Sequence, residues 1–355
     1  DEKLAEARRA MIRTAEATLS CKFDGEPLIV GTSGRYEFRN KGIDIFLDAL
    51  KQLAETDALD REVLVYITVP SATTGPRKDL QAHLADENSP IDPKQNRFCT
   101  HYLEHPEWDQ ILNSIAGSVL ANPSSKVKVV FVPTYLNGRD GIFDKSYYEL
   151  LVGMDMTLFP SYYEPWGYTP LESTAFSVPT LTTTLAGFGL WAGSQGEHEG
   201  VTLVARNDDN YAEAAREIAK ALLHFTKYTP QEVEIARNAA AELSRTALWS
   251  ELYAAYEKAY SEAIERSVTR TNRAVLNDGG GTTEQINFVR QQLITEKPHW
   301  NRVMVEKVLP KRLHALEVLS HNLWWSWTSG ARDLFEYIDQ KLWSECEKNP
   351  IVFLD

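Results

Sequence analysis

The chain has 355 residues, enough for two domains of ordinary size. Hydrophobic residues make up 43% and charged residues 25%, and no apolar run approaches the roughly 20 residues that span a bilayer, which excludes a transmembrane helix. A net charge of -13 without a long basic run argues against a nucleic-acid surface, and Cys21, Cys99 and Cys346 lie too far apart for a zinc site or disulfide framework.

Those unpaired cysteines fit a reducing cytoplasm. The opening Asp-Glu-Lys-Leu-Ala-Glu-Ala-Arg-Arg is charged and helix-forming, unlike a secretory signal. It lacks an initiator Met, so the chain is expected to start inside a longer natural protein.

Residues 1–20 place Leu4, Ala7, Met11, Ala15 and Leu19 at a helical period. Residues 27–35 read as a short buried strand ending in a glycine turn, and a helix follows from about 42 to 54. Second and third strands are expected at 63–69 and 127–132, and three more at 156–159, 180–183 and 201–205. Helical stretches separate them around 107–120, 146–153, 169–177 and 209–225. Residues 71–104 carry turn residues with little periodicity and read as an insertion. Residues 231–266 read as one long helix, with Leu248, Leu252, Ala255 and Ala259 on a stripe. Alternation of strands and helices predicts an α/β fold with a parallel sheet covered on both faces. Such sheets bind ligands beyond the carboxyl ends of their strands, at a topological switch point. The turns at 31–41 and 160–169 both follow strands, so they can share one crevice.

In the first turn, Gly31 and Gly34 allow close backbone approach, Arg35 offers a planar fork for phosphate, and Lys41 offers a compact charge. The stretch is neither a GxGxxG fingerprint nor a Walker loop, and a solvated turn is the plainer reading. In the second turn, Ser161-Tyr-Tyr-Glu-Pro-Trp-Gly-Tyr-Thr-Pro-Leu-Glu172 sets Glu164 and Glu172 eight residues apart around a chain break and a helix start. Pro165 restricts Glu164 to extended backbone. The helix start, at Gly167, Tyr168 and Thr169, offers unpaired N–H groups and a positive dipole end that suit phosphate. Glu164 is either a solvated loop carboxylate or a group for chemistry or a sugar hydroxyl, and Glu172 either caps local structure or accepts ribose hydroxyls. Trp166 divides between core packing and ligand contact. Tyr135 and Tyr147, after the third strand, either stack on a nucleobase or pack a helix onto the sheet.

Tyr-Tyr-Glu-Pro-Trp-Gly-Tyr-Thr-Pro, followed by Leu-Thr-Thr-Thr-Leu-Ala-Gly-Phe-Gly at 181–189, resembles the donor site of glycogen synthases of the fungal and animal type. The E-x7-E spacing alone is shared by many retaining nucleotide-sugar glycosyltransferases. The resemblance implies the C-terminal Rossmann-like, doubly wound domain of a GT-B glycosyltransferase, with a small all-α segment after it. The implied division is 1–26, a helix leading from an acceptor domain; 27–266, the nucleotide-sugar domain with its closing helix; 267–300, a linker; and 301–355, a helical segment. The implied chemistry is retaining transfer of glucose from UDP-glucose to the 4-hydroxyl end of an α-1,4-glucan. Arg35, Lys41 and the helix start at Thr169 would hold the diphosphate, Glu164 the donor glucose, Glu172 the ribose, and Tyr135 and Tyr147 the uracil. No metal or other cofactor is implied, and no Asp-x-Asp motif occurs.

Two departures from the family shape expectations. The resemblance puts an acceptor-side domain, with a histidine near the glucose, ahead of this part; this chain is expected to lack it, and so to bind UDP or UDP-glucose but transfer poorly on its own. Relatives also carry an arginine cluster on the long helix for glucose-6-phosphate; here Arg237 and Arg245 stand nearly alone, and no such activation is expected.

Leu309–Leu354, with Glu317, Trp324 and Trp327 at helical spacings and Trp325 beside them, resembles the N-terminal segment of bacterial α-glucan phosphorylases. It suggests a synthase fused to a phosphorylase, the tryptophans either packing or forming a sugar platform. A glucan-tethering module without catalysis and another E-x7-E transferase, such as sucrose or trehalose-phosphate synthase, remain competing readings. UDP against ADP specificity and a homo-oligomeric state stay open.

Overall fold

The structure, a computed structural model, describes residues 2–196 and 198–277. The chain divides into two units, Asp1–Glu251 and Leu252–Asp355. In chain order the first elements are α1 (Glu2–Leu19), β1 (Leu28–Ser33), α2 (Ile43–Ala54) and β2 (Val63–Thr68). A hairpin region follows with β3 (Thr73–Pro76), α3 (Lys78–Ala85) and β4 (His101–Leu103), then α4 (Gln110–Ala116) and β5 (Val127–Val132). Next come α5 (Tyr147–Leu151), β6 (Met156–Phe159), α6 (Tyr168–Ala175), β7 (Thr180–Thr183), α7 (Gly187–Ser194) and β8 (Val201–Val204). Three helices close the described chain: α8 (Tyr211–Phe225), α9 (Pro230–Thr246) and α10 (Trp249–Asn277).

Six strands form one sheet in the order β5-β2-β1-β6-β7-β8, every pair parallel. All six expected strands are present. They were legible because a strand covered on both faces reads as a continuous apolar run, and β2 is buried at every position. Pairing of β1 with β2 runs from Leu28↔Val63 to Ser33↔Thr68. Order reverses between β1 and β6, so the loops leaving these two strands flank a switch-point crevice. The crossovers from β1 to β2 and from β6 to β7 run in opposite directions, and right-handed connections put α2 and α6 on opposite faces.

Arg8 and Arg237 clamp the opposite, amino-terminal edge of the sheet. Arg8 bonds Asp155 Oδ1 at 2.8 Å and the Pro27 carbonyl at 3.0 Å. Arg237 donates to the Met154 and Ser177 carbonyls at 2.6 and 3.2 Å. Arg237 therefore pins α9 to the sheet.

Several elements differ from expectation. Residues 71–104 are not a patternless insertion: β3 and β4 pair antiparallel around α3. Buried Arg77 organises the region, with bonds to Asp79 at 3.1 and 2.6 Å and to the Asn96 and Cys99 carbonyls. A buried ion pair leaves no hydrophobic period to read. Helix α7 was not anticipated, because its glycines sit where other backbones press close. The long helix expected over 231–266 is two helices, since α9 ends in short i→i+3 bonds from Ala247 and Leu248 to Ser244 and Arg245. Helix α10 then runs into the stretch read as linker, because glycines begin only at Gly279. The expected segment 301–355, with its tryptophans, lies outside the described residues.

Candidate functional site

The loop leaving β1 turns back on itself and starts α2. Glu37 braces it: its Oε2 accepts from Asn40 Nδ2 at 2.6 Å, and its carbonyl accepts from Lys41 N at 2.8 Å. Tyr36 ties it sideways, donating to Asp109 Oδ2 at 2.9 Å and accepting from Ile111 N at 3.3 Å. Burial and the Asp109 carboxylate push the Tyr36 phenol upward. Gly42 ends the loop at φ 69 and caps α2. A Cβ there would lie 2.6 Å from the Pro160 carbonyl carbon, so only glycine lets the β1 and β6 loops meet.

The loop leaving β6 is held from both sides. Tyr162 N donates to the Asn40 carbonyl at 2.8 Å. On the other side Glu164 N donates to the Leu185 carbonyl at 3.3 Å, and Gly187 N donates to the Glu164 carbonyl at 3.0 Å. This backbone clamp delivers the Glu164 carboxylate to Lys41 Nζ, with which it forms an ion pair. Only 17% of the Lys41 and 21% of the Glu164 side chain is exposed. The two residues stand 123 apart in sequence and meet across the switch point.

Gly167 caps α6 at φ 108 without a side-chain hydrogen bond. The first-turn amides of Tyr168 and Thr169 therefore have no side-chain cap, and Pro170 has no N–H to satisfy. Glu172, one turn into α6, accepts from Tyr148 Oη at 3.0 Å. That bond raises the Tyr148 phenol above its ordinary value. Tyr148 also stacks on Phe176, with ring centroids 5.1 Å apart and planes 9° from parallel. Sequence reasoning missed Tyr148; its place beside Tyr147 at the start of a short helix gave no periodic signal.

The other candidates fall into distinct surroundings. Arg35 is 75% exposed along its side chain and pairs with Glu37 Oε1 at 2.9 Å. Gly34 lies beside it with φ 143, and its Cβ position is 3.9 Å from Lys41 Cδ. Tyr135 is exposed at 73% and Tyr168 at 69%. Tyr147 is tucked in: Ser33 Oγ, at the end of β1, donates to its hydroxyl at 2.8 Å, and burial raises its phenol. Trp166 packs in an aromatic cluster with Phe188 and Trp191, at centroid distances of 6.0 and 5.7 Å, so its ring serves packing. Lys41, Glu164 and the α6 start thus converge on one edge, Tyr147 lines the end of β1, and Arg35 reaches into solvent.

A family model described as "Glycogen synthase" matches residues 82–314, more than half of the chain. A second, described as a protein of unknown function, matches residues 309–355, the stretch read as phosphorylase-like. The glycogen [starch] synthase of Neurospora crassa is 28% identical over 305 residues, covering 69% of this chain and 43% of that protein. The human liver glycogen [starch] synthase is 27% identical over 327 residues, covering 76% and 46%. The chain therefore spans less than half the length of these curated relatives. Among solved structures, a complex of Anabaena HepE with UDP aligns with 15% identity and a TM-score of 0.41, covering 74% of this chain and 53% of that one. Among the described residues no helix is long and apolar enough to cross a membrane. With a six-stranded doubly wound sheet, a crevice at its switch point and a family match over residues 82–314, the chain belongs to the glycogen synthase family of glycosyltransferases.

Proposed function

We propose that this chain carries the sugar-nucleotide side of a retaining glucosyltransferase that extends an α-1,4-glucan from UDP-glucose. The observation that supports this most is the Lys41–Glu164 pair at the switch point, beside the uncapped start of α6. A diphosphate entering there meets the Lys41 ammonium, the Thr169 amide and, on swinging inward, the Arg35 fork. It competes with Glu164 for Lys41 and frees the carboxylate for a hydroxyl of the glucose. As the bond from the anomeric carbon to the diphosphate breaks, negative charge grows on the leaving oxygen. Cations and amides already aimed at that point stabilise it without reorganisation. This assignment gives charge neutralisation to protein groups and calls for no metal. Glu172, held by Tyr148, stands one turn along α6 for ribose hydroxyls, and Tyr135 and Tyr147 flank the base.

The test is incorporation of glucose from UDP-glucose into a maltooligosaccharide by the natural full-length protein. Glu164→Gln should abolish transfer while UDP still binds. Undiminished transfer by that variant would remove Glu164 from the chemistry. Incorporation from ADP-glucose in preference to UDP-glucose would reassign the donor.

A further inference from the structure

Arg206 lies just past β8 and is only 6% exposed. Its backbone is bracketed by Thr184, whose Oγ1 accepts from Arg206 N at 3.0 Å and donates to the Arg206 carbonyl at 3.3 Å. The guanidinium Nη1 donates to the Pro160 carbonyl, where β6 ends and the Glu164 turn begins. Its carbon sits 5.3 Å from the centroid of the Tyr162 ring, whose hydroxyl donates to Asp208. The same Nη1 is 3.1 Å from the place a Cβ would take on Gly42, the residue after Lys41. One buried cation thus bonds the backbone at the root of the β6 loop and lies over the open Cβ side of Gly42, where the β1 loop ends.

Burying this charge is costly. Among the described residues Arg206 forms no ion pair, and burial lowers its affinity for its proton. Nearby Asp44 has a buried Oδ1 without a hydrogen-bond partner among the described residues, and burial raises that carboxyl above the usual range. Asp44, the Pro160 carbonyl and the Tyr162 ring offset the Arg206 charge only in part, and folds shed such costly buried groups unless they serve something local. What lies local to Arg206 is the Glu164 turn.

We propose that Arg206 is a positioning residue for the Lys41–Glu164 pair: by fixing the Pro160 carbonyl and covering the Tyr162 ring, it sets the turn that delivers the Glu164 carboxylate. The inference rests on the sugar-nucleotide reading above and extends it to a residue that makes no contact with Glu164 itself. Its action passes through Glu164, so its loss weakens recognition of the glucose rather than of the nucleotide.

The experiment is calorimetric titration of the chain with UDP and with UDP-glucose, for the wild type, Arg206→Gln, Arg206→Lys, and Arg206→Gln combined with Glu164→Ala. Arg206→Gln should weaken UDP-glucose about tenfold and UDP by much less. Arg206→Lys keeps the charge but not the planar fork, and should lose about threefold on UDP-glucose. In the Glu164→Ala background, Arg206→Gln should change UDP-glucose affinity by less than about twofold, as expected when one residue acts through the other. Equal losses for both ligands, equal losses with and without Glu164, or no loss would each overturn the proposal. If Arg206→Gln fails to fold, the same comparison is made with Arg206→Lys in both backgrounds, and full affinity there overturns it. A wild type that binds neither ligand overturns the sugar-nucleotide reading and this inference with it; a binding wild type matched by its variants overturns this inference alone.

Discussion

Gly42→Ala perturbs the point on which both loops converge. At φ 69 a Cβ carries the ordinary left-handed penalty of about 1–2 kcal/mol. That Cβ would also sit 2.6 Å from the Pro160 carbonyl carbon and 3.1 Å from Arg206 Nη1. The Pro160 oxygen lies closer still, so restoring a contact of about 3.5 Å needs a retreat of more than about 1 Å by one loop, and forced overpacking costs a further ~1–3 kcal/mol. The sum is about 2–5 kcal/mol. Gly25→Ala is the control, since Gly25 has φ 107 and nothing within 4 Å of its Cβ position. It should lose the backbone penalty alone. Urea unfolding of both variants at matched slope separates the two terms. Gly42→Ala should fall below Gly25→Ala by about 1–3 kcal/mol and alone should lose affinity for UDP. Coincident unfolding curves, or undiminished UDP binding by Gly42→Ala, would refute the convergence of the loops as the basis of the site.

Three further outcomes follow from local environments. Burial holds the His101 imidazole below its ordinary value of 6.5, so below that pH the unfolded chain takes up a proton that the folded chain refuses. The stability this confers is present above pH 6.5 and is lost as pH falls through the lowered folded value; the gap between wild type and His101→Gln in thermal melts should therefore narrow on acidification, and parallel curves would contradict it. Trp166→Ala should cost about 3 kcal/mol through its packing on Phe188 and Trp191, while Trp108→Ala, at an exposed site, should cost almost nothing; equal melting shifts would count against the packing role. Lys41→Met should lower the melting temperature because it strands a mostly covered carboxylate, whereas Arg35→Ala, which breaks a surface pair worth about 0–1 kcal/mol, should leave it unchanged; the reverse ranking would undo the assignment of their environments.

Most of the sheet was legible because buried parallel strands announce themselves as runs such as Val63–Thr68. The Glu164 turn was legible for a different reason: Pro165 and Gly167 break the chain between an apolar strand and a helix. What could not be read were contacts with no local pattern. Arg206 is a lone arginine after an edge strand whose Leu203 is exposed, and nothing in its neighbours marks it as buried. Helix α7 hides behind glycines that serve close approach to Pro165 and Thr183. The β3–β4 region is organised by the Arg77–Asp79 pair, which periodicity does not register. Trp166 admitted two readings from sequence, and the aromatic cluster gives its ring to packing.

A sugar-nucleotide site on the β1 and β6 loops has to bind its nucleotide. The most direct measurement is calorimetric titration of this chain with UDP and with ADP, repeated on Arg35→Ala. UDP should bind in preference to ADP, and Arg35→Ala should weaken it by about 1–3 kcal/mol through loss of charged hydrogen bonds to the diphosphate. Absence of UDP binding, or UDP binding that Arg35→Ala leaves unchanged, would rule out a diphosphate site at these loops.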